Sequence, residues 1–518
     1  MSPPSPPPPP TGPPPLPRVP AFAVLGVVNE GKTSIVATLS EDPHACPDPT
    51  PGATVEVEPY TVSIDGEPVM RLYDTPGFQN AIGALAWVRA QDFPPGTDAL
   101  SAFVEAHADE PDFENECRLL RPVLDEKACI LYVVDGSAPL SPHYLAEMEL
   151  LRLSGRRRLA LINSKEDGGD FTAAWRTELE KHMPARLFNA HHATFADRLA
   201  LFEALRALYD TPAEVNACQR IIDAFTRDWR RRRAEAVSVI TRLVEDAVRH
   251  VETRNIRAEL LPSELEGLKT ELLARYHTRI AELERAAHLR LREIYKHASP
   301  VWQTPVPPVL GESLFSETTW QALGLTKHQL ALASAAAGAA AGLGLDALLA
   351  FHSLGVGALL GGAVGGVSAY LGGRRLATVE VRAPGALQTL FGNQRLGGEQ
   401  LQIGPSRDLN FAFILLDRAL LLCAALLGRA HARRDEIRVA PDGPAEARAG
   451  VTAGWSRERA GKVSAYVAAL VGGRGLARWL DRRSRDDLRQ DFAKEIRAAL
   501  VALDPLGNRL PAEERRAF

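Results

Sequence analysis

The feature that most constrains the fold is a short motif near the start of the chain. Residues 26–33 read GVVNEGKT, which fits the pattern G-x-x-x-x-G-K-[ST] and lies between an apolar run, residues 21–25, and a helical pattern. Glycines let successive backbone N–H groups turn toward one centre, and the positive end of the following helix adds to the attraction for anions. The motif therefore predicts a phosphate-binding loop between a strand and a helix of an α/β domain.

The side chains of this loop suit a nucleotide. Lys32 supplies a mobile cation for the β- and γ-phosphates, and the Thr33 hydroxyl is a ligand for Mg²⁺. The residues predicted to bind the nucleotide in this segment are Gly26, Asn29, Glu30, Gly31, Lys32, Thr33 and Ser34.

Two more segments extend the predicted site to Mg²⁺ and the γ-phosphate. A D-T-P-G motif at residues 74–77 ends a predicted strand; Asp74 is expected to reach Mg²⁺, and the Gly77 N–H is expected to sense the γ-phosphate. Within the segment P-G-A-T, residues 51–54, the Thr54 hydroxyl is expected to close over Mg²⁺ only when a γ-phosphate is present. The predicted metal ligands are Thr33, Thr54 and Asp74, and the predicted catalytic residues are Lys32, Thr54, Asn29 and Gly77.

The choice of base is predicted from the segment that follows the strand Arg158–Asn163. It reads Ser164-Lys165-Glu166-Asp167, against the pattern N/T-K-x-D of GTPases. Asp167 would accept hydrogen bonds from N1 and the exocyclic amine of guanine, which adenine cannot offer, and Lys165 would lie along the ring. Ser164 stands where asparagine is usual, although Asn163 is adjacent. GTP is therefore favoured over ATP, and residues 192–197 are only a positional candidate for a fifth motif.

Phe78, directly after the D-T-P-G motif, predicts slow intrinsic hydrolysis. Many signalling GTPases have a glutamine there that orients the attacking water, and phenylalanine cannot do this. Catalysis must then come from another residue, a partner in trans or a monovalent cation. Asn29, together with the P-G-x-T segment, resembles the TrmE–Era–septin class, in which an asparagine at that position ligates an activating K⁺. The alternative is an ordinary loop residue.

Composition excludes several classes of protein. The chain of 518 residues is 46% hydrophobic and 24% charged, which excludes wholesale disorder, and its net charge of −4 gives no global basic field for nucleic acid. Five scattered cysteines indicate reduced thiols in a cytoplasmic protein. Residues 1–20 are rich in proline and lack the pattern of a signal peptide, so a disordered tail is predicted there.

The pattern along the chain predicts an α/β P-loop GTPase domain, residues 21–211, with a mostly parallel sheet wrapped by helices and an enlarged helical excursion at 80–127. A largely α-helical C-terminal region follows. It comprises a long helical hairpin at 212–300, a region at 301–438, and a linker with basic amphipathic helices at 439–518. The basic run at 230–233 is interpreted as a solvated face, or alternatively as a contact with an anionic membrane.

Residues 330–373 form an Ala/Gly-rich apolar segment whose one acidic residue is Asp346. Gly357, Gly361 and Gly365 recur every four residues, which places them on one face of a helix and permits close helix packing. Two spans of about 20 residues match the thickness of a bilayer, and basic residues flank both ends. We predict a helical pair at the cytoplasmic side of a membrane; the alternative is a packed pair in a soluble domain.

Together these residues resemble a bacterial family that joins an Era-like G domain to a C-terminal domain of unknown function, number 3482. The resemblance rests on GVVNEGKTS, on DGEPVMRLYDTPGF, on LQIGPSRDLNFAFILLDRALL and on RAHARRDE, and it covers residues 21 to about 437. It implies GTP binding and hydrolysis by the N-terminal half, with GTP or GDP and Mg²⁺ as cofactors.

The expected function is a regulatory GTPase switch that acts at the inner membrane on an unknown protein effector. An RNA or ribosome assembly GTPase is an alternative, but a KH-like Gly-x-x-Gly loop and an aromatic stacking platform are both missing, so nucleic acid is not the expected partner. A dynamin-like mechanical membrane GTPase is the other alternative.

Overall fold

The computed structural model describes residues 19–41, 56–163, 169–256, 261–297, 399–406, 408–428, 450–471 and 485–504, short stretches between 313 and 333, and the backbone of 366–371 and 374–382. The chain divides into two units. The first comprises Met1–Ala193 and Asp197–Asp228, and the second comprises Thr194–Ala196 and Trp229–Phe518. The division falls within a long helix rather than at residue 211, so that helix contributes residues to both units.

A six-stranded sheet forms the centre of the first unit. Its strands are β1 Ala21–Leu25, β2 Glu58–Ile64, β3 Glu67–Asp74, β4 Cys129–Asp135, β5 Arg158–Asn163 and β6 Ala185–Leu187. Their order is β2-β3-β1-β4-β5-β6, and only the β2–β3 pair is antiparallel. All seven residues of β4 are buried, as expected of a strand covered by helices on both faces. The predicted mostly parallel sheet is confirmed.

Seven helices surround this sheet: α1 Lys32–Ser40, α2 Ala81–Ala90, α3 Ala99–Ala106, α4 Glu114–Leu124, α5 Pro142–Leu153, α6 Thr172–Leu179 and α7 Phe195–Arg206. Helices α2 to α4 occupy the predicted excursion between β3 and β4. Asn80 and Asp98 cap α2 and α3 with their side-chain oxygens, which satisfies N–H groups that have no partner within a helix. The three helices bury Leu85, Phe103 and Leu120 in the hydrophobic core.

The next segment contains two long helices, α8 Pro212–Arg249 and α9 Pro262–Ile294, with strand β7 Glu252–Ile256 between them. In the second unit the helices run antiparallel: Arg290 forms an ion pair with Glu235 at 3.4 Å, and the rings of His250 and Tyr276 are 5.4 Å apart. Strand β7 belongs to an antiparallel sheet with β8 Gly366–Leu371, β9 Arg374–Arg382 and β10 Glu399–Ile403, in the order β7-β10-β9-β8.

Most of the predicted apolar helical pair, including Gly357, Gly361 and Gly365, lies outside the described residues. Its C-terminal end differs from the prediction, because Gly366–Leu371 is strand β8 and pairs with β9. Pairing with a neighbouring strand satisfies the backbone groups there, and valine and tyrosine in the sequence GVSAYL favour a pleated strand over a helix. The predicted helices therefore do not extend over this stretch.

Helix α10, Leu409–Leu427, is the one helix within the described ranges that is long and apolar enough to cross a membrane, with a mean hydropathy of 1.9. Most of it is buried. At its middle, Asp417 accepts hydrogen bonds from the backbone N–H groups of Gly324 and Thr452, both at 2.7 Å, and Arg418 forms a buried ion pair with Glu284. Because polar groups at mid-helix have partners inside the unit, α10 has the contacts of a core helix.

The basic run at 230–233 is only partly solvated. Arg230 and Arg231 are exposed, but Arg232 and Arg233 are buried. Arg233 donates to Asp504 at 2.6 Å, and the indole N–H of Trp229 donates to the same carboxylate at 2.7 Å. The prediction of a solvated face or a membrane contact is therefore wrong for Arg232 and Arg233, since consecutive helical residues point in different directions around the axis. Asp504 directly follows helix α12, Arg485–Leu503, which packs on α11, Arg457–Val471.

Candidate nucleotide-binding site

The predicted phosphate loop connects β1 to α1 and has the backbone that its sequence requires. Gly26, Asn29 and Gly31 have φ angles of 147°, 68° and 89°, a region that glycine adopts freely and asparagine tolerates. A Cβ atom on Gly26 would lie 2.3 Å from the carbonyl oxygen of Val133 in β4. The first glycine is therefore needed both for the turn and for the close packing of the loop on the sheet.

Lys32 is buried at the start of α1, and its Nζ donates to the carbonyl oxygen of Val27 at 2.8 Å. The ammonium group thus reaches back over its own loop. Burial lowers the pKa of Lys32, and the negative charges of Asp74 and Glu30 oppose this shift. A desolvated cation held against a loop of backbone N–H groups is suited to bind an anion. Ser34 lies in the same first turn of α1 and is also buried.

Thr33 and Asp74 form the centre of the predicted metal site. The Thr33 hydroxyl donates to Asp74 Oδ2 at 2.6 Å, and Asp74 is 1% exposed. Burial raises the pKa of Asp74 to about 6, while the hydrogen bond from Thr33 and the charge of Lys32 lower it. Asp74 Oδ1 is buried and has no hydrogen-bond partner in the described part of the chain. A hydroxyl beside a buried carboxylate oxygen with unused capacity fits a hard cation such as Mg²⁺.

Gly77 lies directly against the phosphate loop. A Cβ atom there would be 2.4 Å from the backbone nitrogen of Val28, and the N–H of Phe78 donates to the carbonyl oxygen of Gly26 at 3.2 Å. The Phe78 side chain is 4% exposed and packs in the hydrophobic core of the first unit. This residue therefore offers no polar group to a water molecule.

Asn163, which the sequence analysis named only as the neighbour of Ser164, is a site residue whose contacts were not predicted. Its Nδ2 donates to the carbonyl oxygen of Glu30 at 3.0 Å, and its Oδ1 accepts from the N–H of Ala190 at 3.1 Å. The amide lies so close to Gly31 that a Cβ atom there would be 2.4 Å from Nδ2. Asn163 thus joins the phosphate loop to the loop that follows β6. The sequence signal that was available is its position as the last residue of β5, because ligands bind at the carboxyl ends of the strands of a parallel sheet.

The loop after β6 is also bonded to α1, because the Thr38 hydroxyl donates to the carbonyl oxygen of Ala190 at 2.9 Å. Ala190 therefore connects this loop to both α1 and Asn163. The role of residues 192–197, the positional candidate for a fifth motif, stays a prediction. Helix α7 already begins at Phe195.

The structure brings together the loop residues 26–34, Asp74 and Gly77. Four predicted site residues lie outside the described residues: Thr54, Ser164, Lys165 and Asp167. Their roles in binding Mg²⁺ and guanine stay predictions.

Comparison with known proteins adds to this geometry. Residues 21–164 match the family described as 50S ribosome-binding GTPase, and residues 176–497 match the family described as Domain of unknown function (DUF3482). A crystal structure of a variant of Aquifex aeolicus Era bound to GDP·AlF4⁻ is 14% identical; the match covers 53% of this chain and 89% of that chain, with a TM-score of 0.25. No curated protein matches the sequence. Since the DUF3482 match spans more than half of the chain, the protein belongs to the DUF3482 family, with an N-terminal GTPase domain.

Proposed function

We propose that this protein is a GTP-hydrolysing regulatory switch. The observation that carries the proposal is the hydrogen bond between Thr33 and Asp74 at the phosphate loop. Beside it lies Asp74 Oδ1, which has no hydrogen-bond partner among the residues that the structure describes. The match of residues 21–164 to a GTPase family supports GTP as the nucleotide.

The residues of the loop have separate tasks in this proposal. The backbone N–H groups that follow Gly26 and Gly31 bind the phosphates, and the Lys32 ammonium moves from Val27 to the β- and γ-phosphates. Thr33 and Asp74 hold Mg²⁺, which when bound neutralises charge on the phosphate oxygens. The Gly77 N–H is proposed to bond to the γ-phosphate, and the close approach of Gly77 to Val28 of the phosphate loop supports this role.

Hydrolysis by the protein alone is expected to be slow. The side chain of Phe78 lies in the core, so water must be oriented by another group. Asn29, with its left-handed backbone in the phosphate loop, is the candidate ligand for an activating K⁺. Asp167 and Lys165 are proposed to select guanine.

Nucleotide binding to the full-length protein tests the proposal. A fluorescent GTP or GDP should bind in the presence of Mg²⁺, GTP should displace it, and ATP should displace it poorly. Lys32→Ala should abolish binding, whereas Lys181→Ala, at an exposed lysine paired with Glu178, should not change it. Equal binding by the wild type and Lys32→Ala would contradict the assignment.

Action at the cytoplasmic face of the inner membrane, on a protein effector, is a separate proposal. It is supported by the apolar composition of residues 330–365 and the spacing of their glycines. A carbonate wash of membranes tests it, because an inserted segment resists both alkali and salt whereas a charge-driven contact does not. If the wild type is removed as readily as a deletion of residues 334–365, insertion is excluded.

Ribosome assembly is the second candidate, because the family that residues 21–164 match is described as ribosome-binding. Cell fractionation separates the two. The membrane proposal expects the protein in the membrane pellet, and the ribosome proposal expects it to sediment with ribosomal subunits in detergent.

A further inference from the structure

Two tyrosine–glutamate hydrogen bonds lie close to the phosphate loop, in the interior of the first unit. The Tyr144 hydroxyl, on α5, donates to Glu30 Oε1 of the loop at 2.7 Å. The Tyr132 hydroxyl, on β4, donates to Glu147 Oε2 at 2.9 Å. None of the four side chains is more than 5% exposed. Burying a carboxylate is costly unless hydrogen bonds satisfy it, so each tyrosine has a direct effect on where its glutamate lies.

Glu30 is held at both its side chain and its backbone. Tyr144 bonds to the carboxylate, and Asn163 Nδ2 donates to the carbonyl oxygen at 3.0 Å. The next two residues are Gly31, with its left-handed φ of 89°, and Lys32. The Gly31 N–H lies in the same planar, rigid peptide as the Glu30 carbonyl group, so holding that carbonyl also sets the direction of this N–H. The two hydrogen bonds therefore fix the part of the loop that binds phosphate.

Tyr144 itself is rigidly placed. Its ring packs edge-on against Trp175, with ring centroids 4.7 Å apart, and the Trp175 indole N–H donates to the carbonyl oxygen of Ala138 at 2.8 Å. Trp175 is fully buried. Because these ring contacts involve no hydroxyl, a phenylalanine at position 144 would keep them and lose only the bond to Glu30.

We propose that Tyr144 is a positioning residue for nucleotide binding, acting through Glu30 on the shape of the phosphate loop. This inference rests on the proposed binding of GTP at that loop. Tyr144 belongs to none of the nucleotide-binding motifs in the sequence, and its hydroxyl acts on the loop from a neighbouring helix. The loop binds the phosphates of substrate and product alike. Loss of the Tyr144 hydroxyl should therefore weaken the binding of GTP and the binding of GDP to the same extent.

The test compares two chemically identical substitutions in the full-length protein. Tyr144→Phe removes the hydroxyl that bonds to the loop, and Tyr132→Phe removes one that bonds to Glu147 instead. We expect Tyr144→Phe to raise the Kd for GTP and for GDP by about fivefold to tenfold, because part of the free energy of a hydrogen bond to a charged acceptor is lost from binding. Tyr132→Phe should raise both by less than about twofold. For Tyr144→Phe the increase in KM should exceed any change in kcat.

A double-mutant cycle with Glu30→Leu tests whether Tyr144 acts through Glu30. Glu30→Leu should also weaken binding, and the double variant should be no weaker than Glu30→Leu alone, because both changes remove the same bond. Equal Kd values for Tyr144→Phe and Tyr132→Phe, or additive losses in the cycle, would overturn the inference. A wild-type protein that fails to bind GTP would instead overturn the proposed function, so the two failures are distinguishable.

Discussion

The carboxylate of Glu116 accepts the backbone N–H of Asn80 at 2.6 Å, and the same oxygen accepts the N–H of Gln79 at 2.7 Å. Glu116 lies on α4 and is 1% exposed. Gln79 is two residues after Gly77 in the sequence, so Glu116 holds the chain just beyond the predicted γ-phosphate contact. The helical excursion between β3 and β4 thus supplies the acceptor that fixes this segment.

Removing this acceptor should destabilise the first unit. Glu116→Ala removes a buried acceptor from the N–H groups of Gln79 and Asn80, and we expect a loss of about 2 kcal/mol in the free energy of unfolding. The loss should be smaller for Glu116→Gln, because the amide oxygen of glutamine can accept one or both of the hydrogen bonds from Gln79 and Asn80. Urea unfolding measures the loss. The control, Glu114→Ala, removes an exposed ion pair with Arg118 and should cost at most about 0.5 kcal/mol; an equal loss in both variants would contradict the prediction.

Asn163 should affect both stability and nucleotide binding. Asn163→Ala removes the bonds to Glu30 and Ala190, and we expect the free energy of unfolding to fall by about 2 kcal/mol. Affinity for GTP should fall at least tenfold, since the phosphate loop loses its link to β5. Denaturant unfolding and nucleotide titration measure the two effects. Asn216→Ala, at an exposed position of α8, is the matched control and should change neither; a normal GTP affinity in Asn163→Ala would show that the link is dispensable.

Glu147 should make stability depend on pH. Burial raises its pKa to about 8, and the charges of Glu30 and Glu116 add to this, while the bond from Tyr132 and the charge of Lys32 oppose it. Because the pKa is higher in the folded state than its ordinary value of 4.5, the protonated group stabilises the fold at low pH. This stability is lost as pH rises from about 4.5 through about 8.

The measurement is urea unfolding at pH 5, 7 and 9. From pH 5 to pH 9 the free energy of unfolding of the wild type should fall by a few kcal/mol relative to that of Glu147→Gln. The neutral amide of that variant still accepts a hydrogen bond from the Tyr132 hydroxyl. Glu149→Gln is the control on the same helix, because its carboxylate is paired with Arg152, which lowers its pKa and keeps it ionised throughout. Parallel pH profiles for wild type and Glu147→Gln would rule out this source of pH dependence.

A role for potassium is tested through Asn29. If its side chain ligates K⁺, GTP turnover should be at least tenfold faster in KCl than in NaCl at equal ionic strength, and Asn29→Ala should remove the difference. Steady-state phosphate release measures both. Equal rates in the two salts, unchanged by Asn29→Ala, would assign Asn29 to the ordinary backbone of the loop and leave nucleotide binding unaffected.

Among the described residues, the sequence predicted the phosphate loop itself, because the chemistry of the loop is local. The run from β1 through the phosphate loop to α1 has a motif whose glycines, lysine and threonine are each required by the turn or the ligand. Asn163 belongs to no such motif, and its two partners are 133 and 27 residues away in the chain, so its contacts were not predicted from the local sequence. Strand β6 was missed because it has three residues, two of them exposed.

Long-range pairing also explains the errors in the second unit. Arg232 and Arg233 are indistinguishable from their exposed neighbours until the fold brings Asp504 to Arg233, 271 residues later. Strand β7 is an alternating segment of five residues that becomes a strand by pairing with β10, more than a hundred residues further along. The structure of charge runs and short alternating segments depends on partners that are distant in the sequence. A local sequence pattern therefore does not predict it.

The pairing of Trp229 with Asp504 has a consequence for how the protein is made. The two residues are 275 positions apart, so the indole and the Arg233 guanidinium emerge from the ribosome long before the carboxylate they bond to. At roughly 5–20 residues per second, translation takes about 15–50 s to reach Asp504, whereas all six strands of the first sheet are synthesised before α8 begins. The GTPase domain can therefore fold on the nascent chain, while the second unit completes this contact only after α12 has been made.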